Sequence, residues 1–119
     1  MNKNLTFFLV VAVLTLIGGF LRFYNNINNP NSLNIDEVAY GYSAYSILKT
    51  GRDENGFFMP LFFVSIGDYK NPVLIYSLVP SIAAFGLNEF SVRFTTSLAG
   101  TLSIPVFFLL LLFLLKSKK

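Results

Sequence analysis

The chain contains no cysteine and no histidine. Their absence excludes disulfides, zinc sites, thiol nucleophiles and every Ser-His triad. Charge is scarce too: 13% of the 119 residues are charged, against about 25% in an ordinary soluble domain. Disorder is excluded in turn, because it requires low hydrophobicity and high net charge, whereas this chain is 54% hydrophobic with fourteen Phe and six Tyr and a mean hydropathy of +0.61. Acid-base chemistry is left to carboxylates, lysines and tyrosines.

The few charges are ordered. All six acids (Asp36, Glu37, Asp53, Glu54, Asp68 and Glu89) lie in the middle, and four of the nine bases (Lys3, Lys116, Lys118 and Lys119) lie at the ends. The net charge of +3 is therefore less informative than its distribution. Two stretches carry no charge at all. The first, LTFFLVVAVLTLIGGFL from Leu5, is closed by Arg22 and Tyr24, and at about 1.5 Å per residue it nearly covers the ~30 Å of bilayer hydrocarbon. A secretory signal peptide is the competing reading; the run exceeds the usual ~7–15-residue core, and no A-x-A cleavage site follows it. The second runs from Thr95 to Leu115, with Pro105 inside and Thr101 and Ser103 nearby to help satisfy freed carbonyls.

Residues 72–86 need a separate decision. PVLIYSLVPSIAAF is apolar but short, with Pro80 at its middle, and runs of about 10–14 residues are more often interfacial or re-entrant than spanning. Parity agrees, since two spans leave Lys3 and the lysine tail on one side, and cytoplasmic ends prefer Lys and Arg. The expected architecture is an all-α membrane protein. Its transmembrane helices occupy 5–24 and 93–115. An extracytoplasmic loop over 25–92 joins them, with interfacial helices near 34–50 and 72–86, and a cytoplasmic tail follows over 116–119. Both termini are cytoplasmic, at the cell membrane.

The loop carries the residues of chemical interest. NNINNPNSLN is turn-rich. Asn34-x-x-Glu37 fits a capping box and Gly51 stands where a glycine C-cap belongs, so a helix is expected between them. Its apolar residues fall on two faces, 38/42/45/48 and 40/44/47, as suits a helix between membrane surface and protein. FFMPLFF beyond it suits the bilayer interface. Asp36 and Glu37 read in two ways: first-turn acids that complement the helix dipole, or one cap and one general base near a low-dielectric boundary. Adjacent helical residues point about 100° apart, so they do not act on one atom. In GDYKNP, Asn71-Pro72 reads as an N-cap and first-turn proline. Lys70 just before it could bind a phosphate or snorkel among lipid headgroups. Asp68 could pair with Lys70 or ligate a divalent cation. Arg93 could bind a headgroup phosphate or mark the interface.

As a set, these residues resemble a known family. A first span is followed by LNIDEVAYGYSAYSILKTGRDENGFFMPLFF, with Tyr40 three beyond Glu37, and then by GDYKNPVLIYSLVPSIAAFGLNEFSVRF. In order and spacing this resembles the polyprenyl-phosphate-sugar-dependent glycosyltransferases of the GT-C fold, in particular the protein mannosyltransferase and aminoarabinose transferase group. The resemblance implies the N-terminal part of a GT-C fold, with Asp36 as catalytic base and Lys70, in a K-P-P-like element, on the lipid-linked phosphate. Arg93, read from its position, is a further candidate for that phosphate, and Glu37, Tyr40 and Tyr69 are candidates for supporting roles. Asn71 replaces the family's frequent first proline. Tyr69 stands where metal-binding relatives carry an acid, which weakens Asp68 as a metal ligand; no cofactor is required, and a divalent cation is left open.

The implied reaction is an inverting transfer. One carboxylate deprotonates the acceptor while the polyprenyl phosphate leaves as a stable anion, so no second carboxyl acid is needed, unlike glycoside hydrolysis. Lys70 would stabilise the departing charge. The implied partners are a polyprenyl-phosphate-linked sugar, membrane lipid and a glycan, lipid or protein acceptor; no nucleic acid is expected. Family members are much longer, so the chain reads as a truncated or split frame needing further helices, for which Thr96, Gly100 and Ser103 offer a small-residue face. The alternative is a non-enzymatic two-span membrane protein or accessory subunit. A holin-like channel would need polar residues lining a span, and the two apolar runs, Leu5 to Leu21 and Thr95 to Leu115, carry no charge.

Overall fold

The computed structural model describes residues 3–28 and 30–116; the basic tail from Ser117 onward lies outside them. The elements are α1 (Lys3–Phe23), α2 (Ile35–Thr50), β1 (Phe63–Ser65), β2 (Asp68–Lys70), α3 (Pro72–Phe85) and α4 (Glu89–Lys116). They fall into two compact units, residues 25–95 and the two terminal segments 1–24 with 96–119.

In the terminal unit, Leu5–Phe23 and the α4 stretch are long and apolar enough to cross a membrane, and neither apolar window is buried within the protein. Such faces are unstable in water and stable in lipid, so this is a helical membrane protein. The helices meet through small residues. A side chain at Gly18 would run into Ile104, one at Gly19 would come within 3.1 Å of Thr101 Cγ2, and one at Gly100 within 2.6 Å of Arg22 Nε. The Gly100 opening that the sequence offered to absent helices is thus filled by Arg22 of α1. Phe7 and Phe108 stack edge to face at 6.2 Å. Helix α4 continues through Pro105, and Thr101 and Ser103 donate to the Ser97 and Gly100 carbonyls in the preceding turn.

The loop unit has its own core. Helix α2 begins with a complete capping box between Asn34 and Glu37, and Gly51, at φ +68°, ends it with a bond to the Ile47 carbonyl. Helix α3 starts on Asn71, which accepts from the Val73 amide, with Pro72 at its first position. Ala44 and Ile47 of α2 pack against Ile75, Leu78 and Ile82 of α3, with Phe63 between them. At 14 residues, α3 is shorter than a span. It is tied to the start of α4 by Ser81, whose hydroxyl donates to the Ser91 carbonyl at 2.8 Å, and by Thr95, which donates to Ser81 Oγ at 3.0 Å.

One element goes beyond the sequence reading. Residues 63–70 form an antiparallel hairpin with register Phe63↔Lys70, Val64↔Tyr69 and Ser65↔Asp68. The register explains the burial: Phe63 and Ser65 face the core, whereas Val64 is exposed. The aromatic stretch before it is exposed at Phe57, Phe58, Leu61 and Phe62.

Candidate active site

The hairpin register carries Lys70 to the core. Directly opposed residues share a face of a sheet, so Lys70 lies beside fully buried Phe63 and is itself 8% exposed. Residues two apart in a strand also share a face, which brings Asp68 to the same side. Asp36 arrives from the first turn of α2. Lys70 Nζ donates to Asp36 Oδ1 at 2.6 Å and lies 3.5 Å from Asp68 Oδ2. The Asp36 hydrogen bond raises the Lys70 pKa above its ordinary 10.5; burial opposes this, and the Asp36 and Asp68 charges reinforce it. The lysine is a fixed cation.

Glu37 faces elsewhere. It completes the cap by accepting from the Asn34 amide at 3.0 Å, and it binds Arg93, whose Nε reaches Oε1 at 3.1 Å. Burial works against its ionisation. The Arg93 hydrogen bond, the Asn34 amide and the Arg93 charge outweigh that and hold its carboxyl below the ordinary 4.5. Arg93 itself is 4% exposed. Its guanidinium also donates to the carbonyls of Asn26, Ile27, Pro30 and Ser32, so it organises the turn leading into α2. Among the described residues, these partners are the chain's own backbone and Glu37.

The sequence candidates thus divide. Asp36, Lys70 and Asp68 converge, Glu37 and Arg93 form a second pair, and Tyr40 is half-buried against the core cluster. Tyr69 pairs with Val64, on the strand face opposite Lys70, and is 78% exposed. Asp68 also accepts from the Tyr69 amide at 2.7 Å. Among the described residues, no group of three or more potential ligands could hold a metal ion. A depression of about 580 Å³ lined by Ile27, Phe85, Asn88, Glu89 and Phe90 includes neither Asp36 nor Lys70.

Residues 12–119 match the model of the dolichyl-phosphate-mannose-protein mannosyltransferase family. The chain belongs to that family. Neither curated proteins nor solved structures gave a significant match. Membership makes it a mannosyltransferase-like membrane glycosyltransferase chain, and the family as a whole works with a dolichyl-phosphate-sugar donor and a protein acceptor. For a mannosyltransferase of that kind, the converged groups have the relevant capacities: a carboxylate can accept a proton and an ammonium can neutralise a phosphate. GRDENG reads as a turn from its sequence, but the buried acid that organises it was not singled out. Asp53 is 4% exposed and accepts from the Asn55 and Phe57 amides at 3.0 and 2.8 Å. An acid two residues before an Asn-Gly pair is the signal for such a turn.

Proposed function

We propose that this chain supplies the donor-side loop of an inverting, GT-C-type glycosyltransferase that moves a sugar from a polyprenyl-phosphate carrier to an extracytoplasmic acceptor. The observation that carries the reading is the Lys70–Asp36 pair. Residues 34 positions apart, from a strand and a helix, converge at 2.6 Å in the loop unit. Lys70 neutralises charge developing on the departing phosphate, and Asp36 takes the acceptor's proton. Glu37 caps the helix and holds Arg93, and so fixes the side of α2 on which Asp36 stands. The acceptor is a glycan, lipid or protein bearing a hydroxyl or amine, and the remaining helices of a complete enzyme enclose the site.

The test is sugar transfer by a complete enzyme bearing this segment. Asp36→Asn should lower turnover about a hundredfold or more, as loss of a general base does, while Glu37→Gln keeps it within a few-fold. Near-normal turnover in Asp36→Asn would remove the assignment. Topology belongs to the same proposal: α1 and α4 span, α3 lies along the membrane, and both ends are cytoplasmic. Reporter fusions should then place Lys3 and Lys119 inside and Asp53 outside. Termini on opposite sides would mean that residues 72–86 cross the bilayer.

A further inference from the structure

We propose that Asp36 and Asp68 occupy Lys70 when no donor is bound, and that the phosphate of a lipid-linked sugar, a phosphodiester until the sugar leaves, enters the site by displacing Asp36 from the ammonium. Donor binding is then the event that frees the base. This rests on the reading of Lys70 as the phosphate contact.

Two observations and one consequence of the proposed inverting chemistry support it. First, the Lys70 side chain is 6% exposed, whereas those of Asp36 and Asp68 are 64% and 74% exposed. The cation is enclosed and both covers face solvent, Asp68 being tethered in addition by the Tyr69 amide. Second, an ammonium has three donors, and Asp36 and Asp68 already stand at 2.6 and 3.5 Å from it. A phosphate added to both carboxylates would place three anionic groups around one cation. Like charges at such distances repel even when partly exposed, which favours the departure of one group. Asp36 occupies the closest position, which a phosphate oxygen needs. Third, an inverting displacement puts the attacking and departing oxygens on opposite faces of the sugar carbon. A base that serves the attacking oxygen and a cation that serves the leaving one do not stay in contact. The 2.6 Å pair is therefore the donor-free arrangement.

The full 119-residue chain in nanodiscs tests this by binding. The probes are a polyprenyl monophosphate in the bilayer, phosphatidic acid in the bilayer, and inorganic phosphate in solution. Asp36→Asn should bind the phosphate about fivefold more tightly than the unaltered chain, and Asp68→Asn about twofold, as fits loss of partly exposed competitors. Glu54→Gln makes the same charge change at an exposed acid elsewhere and should leave affinity unchanged. Lys70→Gln should abolish binding in every background, with circular dichroism showing the helices retained. Selective tightening in any arm upholds the displacement, and the arm identifies which phosphate source the site takes. Lys70-dependent binding without tightening in Asp36→Asn, or with equal tightening in Glu54→Gln, overturns the displacement alone. Binding indifferent to Lys70, or undetectable in all the chains, removes the phosphate assignment and the displacement with it.

Discussion

Arg93 and Glu37, 56 positions apart, are joined by two hydrogen bonds, Nε to Oε1 at 3.1 Å and Nη2 to Oε2 at 3.3 Å. The same guanidinium gathers four backbone carbonyls between Asn26 and Ser32. Because adjacent helical residues diverge by about 100°, fixing Glu37 on Arg93 turns Asp36 toward Lys70. Two ion pairs thus set the rotation of α2 about its axis.

Arg93→Met should therefore cost about 1–3 kcal/mol, because it leaves part-buried acceptors, Glu37 among them, without a donor. Arg93→Lys should recover little, since one ammonium cannot reproduce the planar fork. Glu37→Gln should cost about 1 kcal/mol, as it keeps an acceptor for the Asn34 amide. Thermal unfolding in detergent measures the order, and protease cleavage within 25–33 should accelerate in the arginine variants first.

The ion pairs also set a pH window. The Glu37 carboxyl is held below its ordinary 4.5 in the folded chain, so its contribution is complete above about that pH and is lost as pH falls through the lower folded value. The Lys70 ammonium is held above its ordinary 10.5, so its contribution is complete below that pH and is lost as pH rises through the higher folded value. Between the two, neither pair makes stability depend on pH. Melting temperature should be flat across that range as far as these groups decide it, and Glu37→Gln should reduce the acid-side fall while leaving the alkaline side intact.

Much of this was legible in the residues, and what was not had a physical reason. The capping box at Asn34 and Glu37, the glycine stop at Gly51 and the Asn71-Pro72 start are local signals, read within one turn of chain. Uncharged runs announced the membrane because a bilayer sets both length and polarity. The Glu37–Arg93 and Asp36–Lys70 partnerships could not be read that way, since no periodicity links positions 56 or 34 apart. The hairpin was hidden for a different reason. Its loop residues are Ile66 and Gly67, and a β-branched residue argues against the tight turn it occupies.

Close approach of α2 to the start of α4 gives another test. A Cβ at Gly41 would lie 2.7 Å from Val92 Cγ2. Val92 is 4% exposed and β-branched, so it has little rotamer freedom with which to yield. Replacing a helical glycine by alanine normally gains up to about 1 kcal/mol. Here the clash should exceed that gain, and Gly41→Ala should destabilise by about 1 kcal/mol. Pairing it with Val92→Ala removes the obstructing methyl groups. The cycle should show a favourable coupling between the two changes; strictly additive effects would mean that the helices simply separate.

The hairpin tip should respond in the opposite direction. Ile66 has φ +53° and Gly67 φ +75°, the backbone signature of a type I′ two-residue turn, which strongly favours Asn-Gly. A β-branched residue at positive φ is strained by about 1–3 kcal/mol. Ile66 is also 68% exposed, so its side chain recovers little of that through packing. Ile66→Asn should stabilise the chain by about 1 kcal/mol, seen as a higher melting temperature, and it should slow amide exchange across the 63–70 ladder. Lys70 sits at the end of that ladder, opposite Phe63. A firmer turn should therefore hold the ammonium in register more persistently, so exchange at the Lys70 amide is the most informative single readout. A lower melting temperature would show that the isoleucine side chain contributes more than its backbone strain costs.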